Sequence, residues 1–457
     1  MQLSKSDYML YLKHPAWLWL KKHDKDKLPP VDDSTQAMFD AGHKFEAYAE
    51  AIFENGVTLG FNNYDEYNSL TGRTQQAFAD GATTIFQSRF VSGDYNCLPD
   101  IIDVVGDKEV DLYEIKSSTK VKDEHLYDLA FQGAVIEANG LTIRKIFVIY
   151  VNNEYVRHGA INPEELTKMD DVTLAVHNLA SFTESNMPLA LETMKSDTMP
   201  DPNPIFLSKL GDKKEWQAIY DELVGTPKPD YSGAEPTIEK HEIEAFLSEL
   251  EFPLYFLDYE TMSAVVPYFD GHRPYQQVPS QYSLHILDSP DAELRQKEYL
   301  HRDNSDPSLP IAQHLVEDIG DHGSIITWNM GFEKSCNVTL GKLNPEYAAA
   351  MEKINERITD LMIPFKPKNG WYSDPRFEGS ASIKKVLPVV VPALSYKELN
   401  IQNGGSAQTL WMQAVLDSTR DDKEKILDDL IKYCGLDTLA MVEIYEALKK
   451  VTTNTQA

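Results

Sequence analysis

Two groups of acidic side chains in this sequence are spaced for chemistry. The first is Asp100 with Glu114 and Lys116. Asp100–Val105 and Val110–Ser117 read as two strands separated by the turn-forming Gly106–Asp107. With the turn centred near Asp107, Asp100 falls opposite Glu114. Lys116, two positions on, points the same way because strand side chains alternate between faces, and Asp103 points the other way. Carboxylates set opposite one another repel. A divalent cation between them removes that penalty, and hard oxygen ligands with room for water suit Mg²⁺ or Mn²⁺. Lys116 would then stabilise charge developing on a phosphate or hold the attacking water. Taken without their neighbours, the three residues also read as solvated hairpin charges with Lys116 as counter-ion.

The second group is spread along the C-terminal half. Asp258 and Glu260, in FLDYET, end an apolar strand and share one face. Asn329 and Glu333 follow another buried strand at an expected helix start. Tyr433 and Asp437, in YCGLD, are four apart and neighbours on one helical face. Four carboxylates from separate elements could bind two metals, an arrangement suited to in-line phosphodiester displacement. A tyrosine among them could position or deprotonate the attacking water. In GSASIKK, Ser380, Lys384 and Lys385 could touch a phosphate backbone, with a plain basic turn as the alternative. Asp360-Leu361 reads as the start of a structural strand and stays outside the catalytic set.

The elements that must position these groups follow an α/β pattern. An opening helix and a longer one around Phe39–Phe53 precede the hairpin. Glu124–Ala138 has helical spacing and stops at Asn139-Gly140, and Ile146–Val151 reads as a buried strand. In the C-terminal part Leu254–Tyr259, Gln281–Leu287 and Ser324–Trp328 read as strands. Lys423–Lys450 is helical, with Gly435 allowing an interruption. Pro, Gly, Ser and Asp concentrate between about Met187 and Glu239, around the short helix KKEWQAIYDEL. The expected division is therefore a domain over 1–190, a linker over 191–238 and a second domain over 239–457.

The 457 residues are about three times a usual single-domain length. The 42% hydrophobic and 25% charged content excludes disorder throughout and collagen-like order. No apolar run reaches the roughly 18 residues that a membrane span needs, and the opening segment lacks a signal peptide's apolar core, so a soluble cytoplasmic protein is expected. The net charge of −29 repels nucleic acid at long range and argues against a simple DNA-binding module. It leaves open a metal-dependent nuclease, whose carboxylates are partly neutralised by cations. The 3 cysteines, Cys97, Cys336 and Cys434, are too few and too scattered for a disulfide framework or a CxxC metal site.

Pro99-Asp100 followed by Glu114-Ile115-Lys116 resembles the signature of the PD-(D/E)XK nucleases. The context resembles their RecB-like branch, which includes nucleases associated with CRISPR adaptation. Gly42-His43 matches that branch's metal-ligating histidine, and Gln132, in DLAFQGAVIEANG, its glutamine on the helix after the lysine strand. The resemblance implies metal ligation by His43, Asp100, Glu114 and the Ile115 carbonyl, catalysis by Lys116 and orientation of the site by Gln132. Many relatives hold an iron–sulfur cluster, with the first cysteine beside a proline near the start. Here that place reads His14-Pro15 and the later cysteines are missing, so no cluster is expected.

The second group resembles the DnaQ-like (DEDD, RNase H-like) 3′–5′ exonucleases of the tyrosine subclass. Their three motifs occur in order between about Phe252 and Ala447. The resemblance implies that Asp258, Glu260 and Asp437 bind metal and that Tyr433 activates water. Glu333 holds a position where most relatives have Asp. The pairing resembles a bacterial family of unknown function in which a RecB-like nuclease precedes a DnaQ-like exonuclease. The implied fold is α/β, a restriction-endonuclease-like domain followed by an RNase H-like one. The implied protein is a Mg²⁺- or Mn²⁺-dependent nuclease, with DNA preferred and RNA the other candidate substrate. No GxxxxGK[ST] segment occurs, so ATP-driven unwinding would need a helicase or a repair or defence partner. The competing expectation is a nucleic-acid-binding or scaffold protein with one or both sites inactive.

Overall fold

Period-two alternation along EVDLYEIK sends Val110 and Leu112 to one face and Tyr113 and Ile115 to the other, and both faces are covered. The computed structural model describes residues 2–30 and 33–453. The chain is mixed α/β and divides into two compact units, Met1–Lys228 with Val265–Pro274, and Pro229–Ala264 with Tyr275–Ala457.

In the first unit a six-stranded sheet runs in the order Val57–Thr58, Thr84–Phe86, Ile101–Gly106, Glu109–Lys116, Thr142–Val151, Thr167–Asp171. Glu109–Lys116 pairs antiparallel with Ile101–Gly106 and parallel with Thr142–Val151. The parallel pairing requires a crossover, which the helix Asp123–Glu137 supplies. Leu129, Phe131, Val135 and Ile136 of that helix share a core with Val110 and Leu112, joined by Tyr8 and Leu12 of the N-terminal helix Lys5–Lys13. On the opposite face Phe45 and Ala49 of the helix Asp33–Glu50 pack with Tyr113 and Ile115.

The hairpin register pairs Ile101 with Tyr113 and Asp103 with Asp111. A bulge between Val104 and Gly106 moves the turn one residue beyond the expected Gly106–Asp107, onto Asp107-Lys108, with Lys108 at φ 59°. Because the bulge absorbs the extra residue, the register still carries Asp100 opposite Glu114.

The expected linker over 191–238 is largely structured. The helix Ala180–Lys195 crosses position 190. The helix Lys213–Val224 buries Trp216 and Ile219 with Trp17 and Leu20, so the first unit extends to Lys228. Burial of these large side chains, worth roughly 2 kcal/mol each, outweighs the loop-like flanking composition.

The second unit has a five-stranded sheet ordered Arg295–Leu300, Val278–Leu287, Leu254–Met262, Ile325–Thr327, Ile358–Asp360. The first two pairings are antiparallel and the last two parallel. Leu254 and Phe256 face the C-terminal helix Lys423–Thr453 through Met441, Ile444 and Tyr445. Tyr255, Leu257 and Tyr259 face the helices Ser308–Asp318, Met330–Leu343 and Ala348–Glu356. Lys423–Thr453 is continuous, without the interruption that Gly435 would have allowed. Glycine there suits close passage, since a Cβ would lie 3.1 Å from Gln296 Nε2. No helix among the described residues is long and apolar enough to cross a membrane.

Candidate functional site

Leu254 and Phe256 face the C-terminal helix, and the same alternation points Asp258 and Glu260 at Asp437, one turn beyond Tyr433. One carboxylate oxygen from each of Asp258, Glu260 and Asp437 lies within 4.8 Å of the others. Among the described residues this trio alone brings three or more His, Cys, Asp or Glu side chains to common ligand spacing. They line a cavity of about 270 Å³ together with Tyr433, Lys384 and Trp328.

Like charges gathered out of water favour protonation. Burial, then Asp437, Glu260 and Glu333, hold the Asp258 carboxyl well above its ordinary range. Glu260 is raised by burial and Asp437, with Lys384 opposing. Asp437 is pushed up to about 6 by burial, which outweighs a hydrogen bond from Tyr396 and the nearby Lys384. Burial and the three acids push the Tyr433 phenol far upward.

Other expected residues of this group are distributed differently. Glu333 is buried in the first turn of Met330–Leu343, near enough to raise the Asp258 carboxyl but not among the three acids at common ligand spacing. Its Oε2 has no hydrogen-bond partner, and burial raises its carboxyl to about 8. Asn329 starts that helix at φ 81°, its backbone N–H donating to Asp360 Oδ1 at 3.1 Å. Asp360 ends the strand Ile358–Asp360, where a strand start was expected, and also accepts from Met362 N and Lys366 Nζ. Lys384 lines the cavity and donates to the Gln402 carbonyl at 2.5 Å. Lys385 pairs with Glu378, and the Ser380 hydroxyl accepts from Ser382 N, so neither is at the trio. Tyr396 and Cys434 were not anticipated. Tyr396 Oη donates to Asp437 Oδ1 at 2.6 Å, and Cys434 Sγ lies 3.8 Å from Asp258 Oδ2.

In the first unit, Glu114 is buried beneath the helices Lys5–Lys13 and Asp123–Glu137. Its Oε1 accepts from Lys5 and Lys116, each at 2.7 Å, and its Oε2 from Gln132 Nε2 at 2.7 Å. Asp128 accepts from Lys116 at 2.9 Å and from Gln132 at 3.0 Å. Asp100 Oδ2 accepts from the Ile115 N–H at 2.7 Å. Burial pushes Glu114 up, but Lys116 and Lys5 overcome it and hold the carboxyl well below its usual range. Asp100 is pushed up to about 7 by burial and Glu114. Asp100, Glu114, Lys116 and Gln132 thus converge, with Lys5 and Asp128 as unanticipated members. His43 does not join them. It is exposed on Asp33–Glu50, the helix covering the face opposite Glu114, although Gly42 approaches Ser117 at the end of the lysine strand.

The repulsion expected between Asp100 and Glu114 is met here by two ammonium groups and a backbone N–H, so it does not by itself call for a metal. In the second unit the donor chemistry fits a hard divalent ion: three carboxylates at ligand spacing, with no lysine or arginine among the described residues ion-paired to any of them. The buried, unpartnered Glu333 oxygen adds a further polar atom nearby.

Residues 255–382 match the family model of a domain of unknown function, DUF2779. That stretch contains Asp258, Glu260 and Glu333 and stops before Tyr433 and Asp437. An uncharacterized protein of Mycoplasma pneumoniae is 27% identical over 228 residues, covering 44% of this chain and 32% of the relative. One of Mycoplasma genitalium is 25% identical over 206 residues (41% and 31%), and one of Ureaplasma parvum is 26% identical over 215 residues (43% and 31%). The chain spans about a third of the length of these curated relatives.

Proposed function

We propose that this protein is a divalent-metal-dependent nuclease whose principal site is the Asp258–Glu260–Asp437 trio. The observation that carries the reading is the approach of those carboxylates to within 4.8 Å without a cationic side chain paired to them. The sheet order of the second unit supports an RNase H-like, DnaQ-like 3′–5′ exonuclease. The hairpin and helical crossover of the first unit support a restriction-endonuclease-like, RecB-like domain.

Asp258, Glu260 and Asp437 would hold Mg²⁺ or Mn²⁺, which when bound supplies charge stabilisation of the phosphodiester and activation of water. The chain's own groups do the remaining work. Tyr433, on the cavity wall one helical turn before Asp437, is placed to orient or deprotonate the attacking water. Lys384, on the cavity wall, attracts the phosphate and offsets the carboxylates. Tyr396 fixes the rotamer of Asp437. In the first unit Lys116 is the group available to stabilise phosphate charge.

The partner proposed is nucleic acid, DNA before RNA, with a helicase or a repair or defence protein supplying unwinding and a cytoplasmic location. The test is cleavage of 5′- and 3′-labelled single- and double-stranded DNA and RNA in Mg²⁺, Mn²⁺ or chelator. Metal-dependent laddering from the 3′ end, lost in Asp258→Ala and strongly reduced in Tyr433→Phe, is the expected result. No cleavage of any substrate, with no Mn²⁺ bound at the trio, would leave a nucleic-acid-binding or scaffold protein. The saturated hydrogen-bonding shell of Glu114 favours a second reading, in which only the second unit turns over and the first grips the substrate.

A further inference from the structure

A second cavity lies beside the trio, within the same unit. It measures about 280 Å³ and is lined by Phe365, Tyr372 and Phe377, with Lys366, Asp374 and Ser380 among its polar groups. The two cavities share a partition. Trp328 lines the trio cavity and Phe365 the second, and their rings stack with centroids 5.6 Å apart. The Trp328 indole N–H donates to the Ala381 carbonyl at 3.1 Å, which ties the partition to the segment Gly379–Lys384. That segment runs from one cavity to the other, with Gly379 and Ser380 lining the second and Ile383 and Lys384 the first. The chain between Ser380 and Lys384 spans at most about 14 Å.

The lining chemistry narrows the occupant. The buried charges are already compensated: Lys366 Nζ holds Asp360 Oδ2 at 2.7 Å, and Asp374 accepts from Arg376 Nε at 2.8 Å. Glu235 is exposed on the rim and disfavours an anion there. The open hydrogen-bonding group is neutral. Tyr372 packs against Phe365 and Phe377, with ring centroids 5.4 and 5.9 Å away, and is only 8% exposed. Its hydroxyl nevertheless bonds to nothing among the described residues. Apolar walls and one unsatisfied neutral hydroxyl suit an uncharged planar ring with hydrogen-bonding edges. The volume, at the small end for ligand pockets, fits one such ring system and no longer segment.

We propose that this cavity is a base-binding subsite, which takes one nucleobase of a strand whose 3′ end lies in the trio cavity, with the Tyr372 hydroxyl bonding to the base edge. The proposal rests on reading the trio as a nuclease site and narrows the substrate of that site. A base seated in a cavity is unpaired, which confines the substrate to single strands or frayed ends. Because a hydroxyl both donates and accepts, the subsite is tolerant of base identity. Tyr372 is thereby a binding residue and not a catalytic one.

The test uses the full chain carrying Asp258→Asn, which stops cleavage, and single-stranded oligonucleotides with one photoactivatable iodouracil placed at each position in turn from the 3′ end. Irradiation and peptide mass spectrometry are expected to attach the second or third base to Tyr372 or a neighbouring residue of the cavity lining. In anisotropy titrations of the same protein, an abasic residue at that position should weaken binding about tenfold, and one further along the strand hardly at all. Adding Tyr372→Phe, which keeps the packed ring, should weaken the intact strand about fivefold and leave the abasic strand unchanged. In the otherwise unsubstituted enzyme, Tyr372→Phe should act on KM and spare kcat. Cross-links that all fall outside the cavity, or equal losses for intact and abasic strands, overturn the proposal. Labelling of the cavity by iododeoxyuridine monophosphate when the strand gives none also overturns it, and makes the occupant a free nucleotide. Where the parent still degrades strands from the 3′ end, those results leave the trio reading standing, whereas no binding and no cleavage of any strand removes both.

Discussion

Tyr396 Oη donates a 2.6 Å hydrogen bond to Asp437 Oδ1, joining the short turn Tyr396–Glu398 to the C-terminal helix. Two tyrosines therefore attend one carboxylate, Tyr433 from one turn earlier on the same helix and Tyr396 from outside it, with ring centroids 6.2 Å apart. Hydrogen bonds from both phenols oppose the rise that burial imposes on the Asp437 carboxyl, and the one from Tyr396 also holds its orientation. Removing it in Tyr396→Phe lets the carboxylate rotate. A hydrogen bond of about 1 kcal/mol corresponds to a roughly fivefold loss of Mn²⁺ affinity at the trio, measurable by calorimetry. Equal affinity in the variant would show that Tyr396 does not position Asp437.

Asp258 carries the heaviest burden of like charge. Burial, Asp437, Glu260 and Glu333 all raise its carboxyl. Neutralising it should stabilise the metal-free protein while destroying metal binding. Asp258→Asn is expected to raise the unfolding free energy in chelator at pH 8, because it removes a buried charge crowded by three other acids. Saturating Mn²⁺, at about a hundred times its dissociation constant, should stabilise the parent by about 2.7 kcal/mol and the variant hardly at all. Asp437 gives the matching pH signature. Its folded carboxyl lies at about 6, above the unfolded value, so its favourable contribution is complete in acid and disappears as pH rises through 6. In chelator, Asp437→Asn should flatten that part of the stability profile.

Glu114 behaves oppositely, because cations hold it ionised. Glu114→Ala leaves Lys5 and Lys116 facing a cavity with one carboxylate fewer, and breaking such a pair from one side costs about 3 kcal/mol. Urea unfolding should show a loss of that order, with much of it recovered in Glu114→Ala combined with Lys5→Met. A neutral Glu114→Ala would mean that the ammonium groups are solvated rather than held.

Alternation and helical spacing report which face a side chain occupies, and on that level much of both sites was legible. The register bringing Asp100 opposite Glu114 needed only two strands and a turn, and the bulge at Val104/Gly106 corrected the one-residue error in the turn. Asp258, Glu260, Tyr433 and Asp437 were found by the same logic. Spacing does not report what comes across to a face. Lys5 reaches Glu114 over 109 positions, and nothing local distinguishes it from Lys13 of the same helix. Asp128 could have been found, since it lies one helical turn before Gln132. Tyr396 lies in a segment without periodicity. His43 shows the converse: it has the right chain order, but it sits on a helix covering the sheet face opposite the cluster it was expected to join. Composition also misjudged Lys213–Val224, where Trp216 makes part of the expected linker a piece of the first unit's core.

His14 stands where an iron–sulfur cysteine was sought, and its contacts give it a different task. Its Nδ1 accepts from Ala16 N at 3.1 Å, capping the helix Pro15–His23, which obliges Nε2 to carry the proton and donate to the Asn203 carbonyl at 3.1 Å. The ring is buried and stacks on Trp216 with centroids 4.0 Å apart. A second proton on Nδ1 would remove the cap, and burial accordingly holds the imidazole below its ordinary range despite the opposing Asn203 bond and Asp201. The unfolded chain takes up that proton first, near about pH 6.5, so the stability His14 contributes is full above that value and drains away as pH falls below it. His14→Asn keeps a capping oxygen but loses the stack and the titration. It should be less stable than the parent by about 1–2 kcal/mol at pH 8, and the gap should narrow steadily toward pH 5 in urea unfolding. A gap independent of pH would mean that folding leaves the ring's proton affinity unchanged and that the capping geometry does not govern its charge.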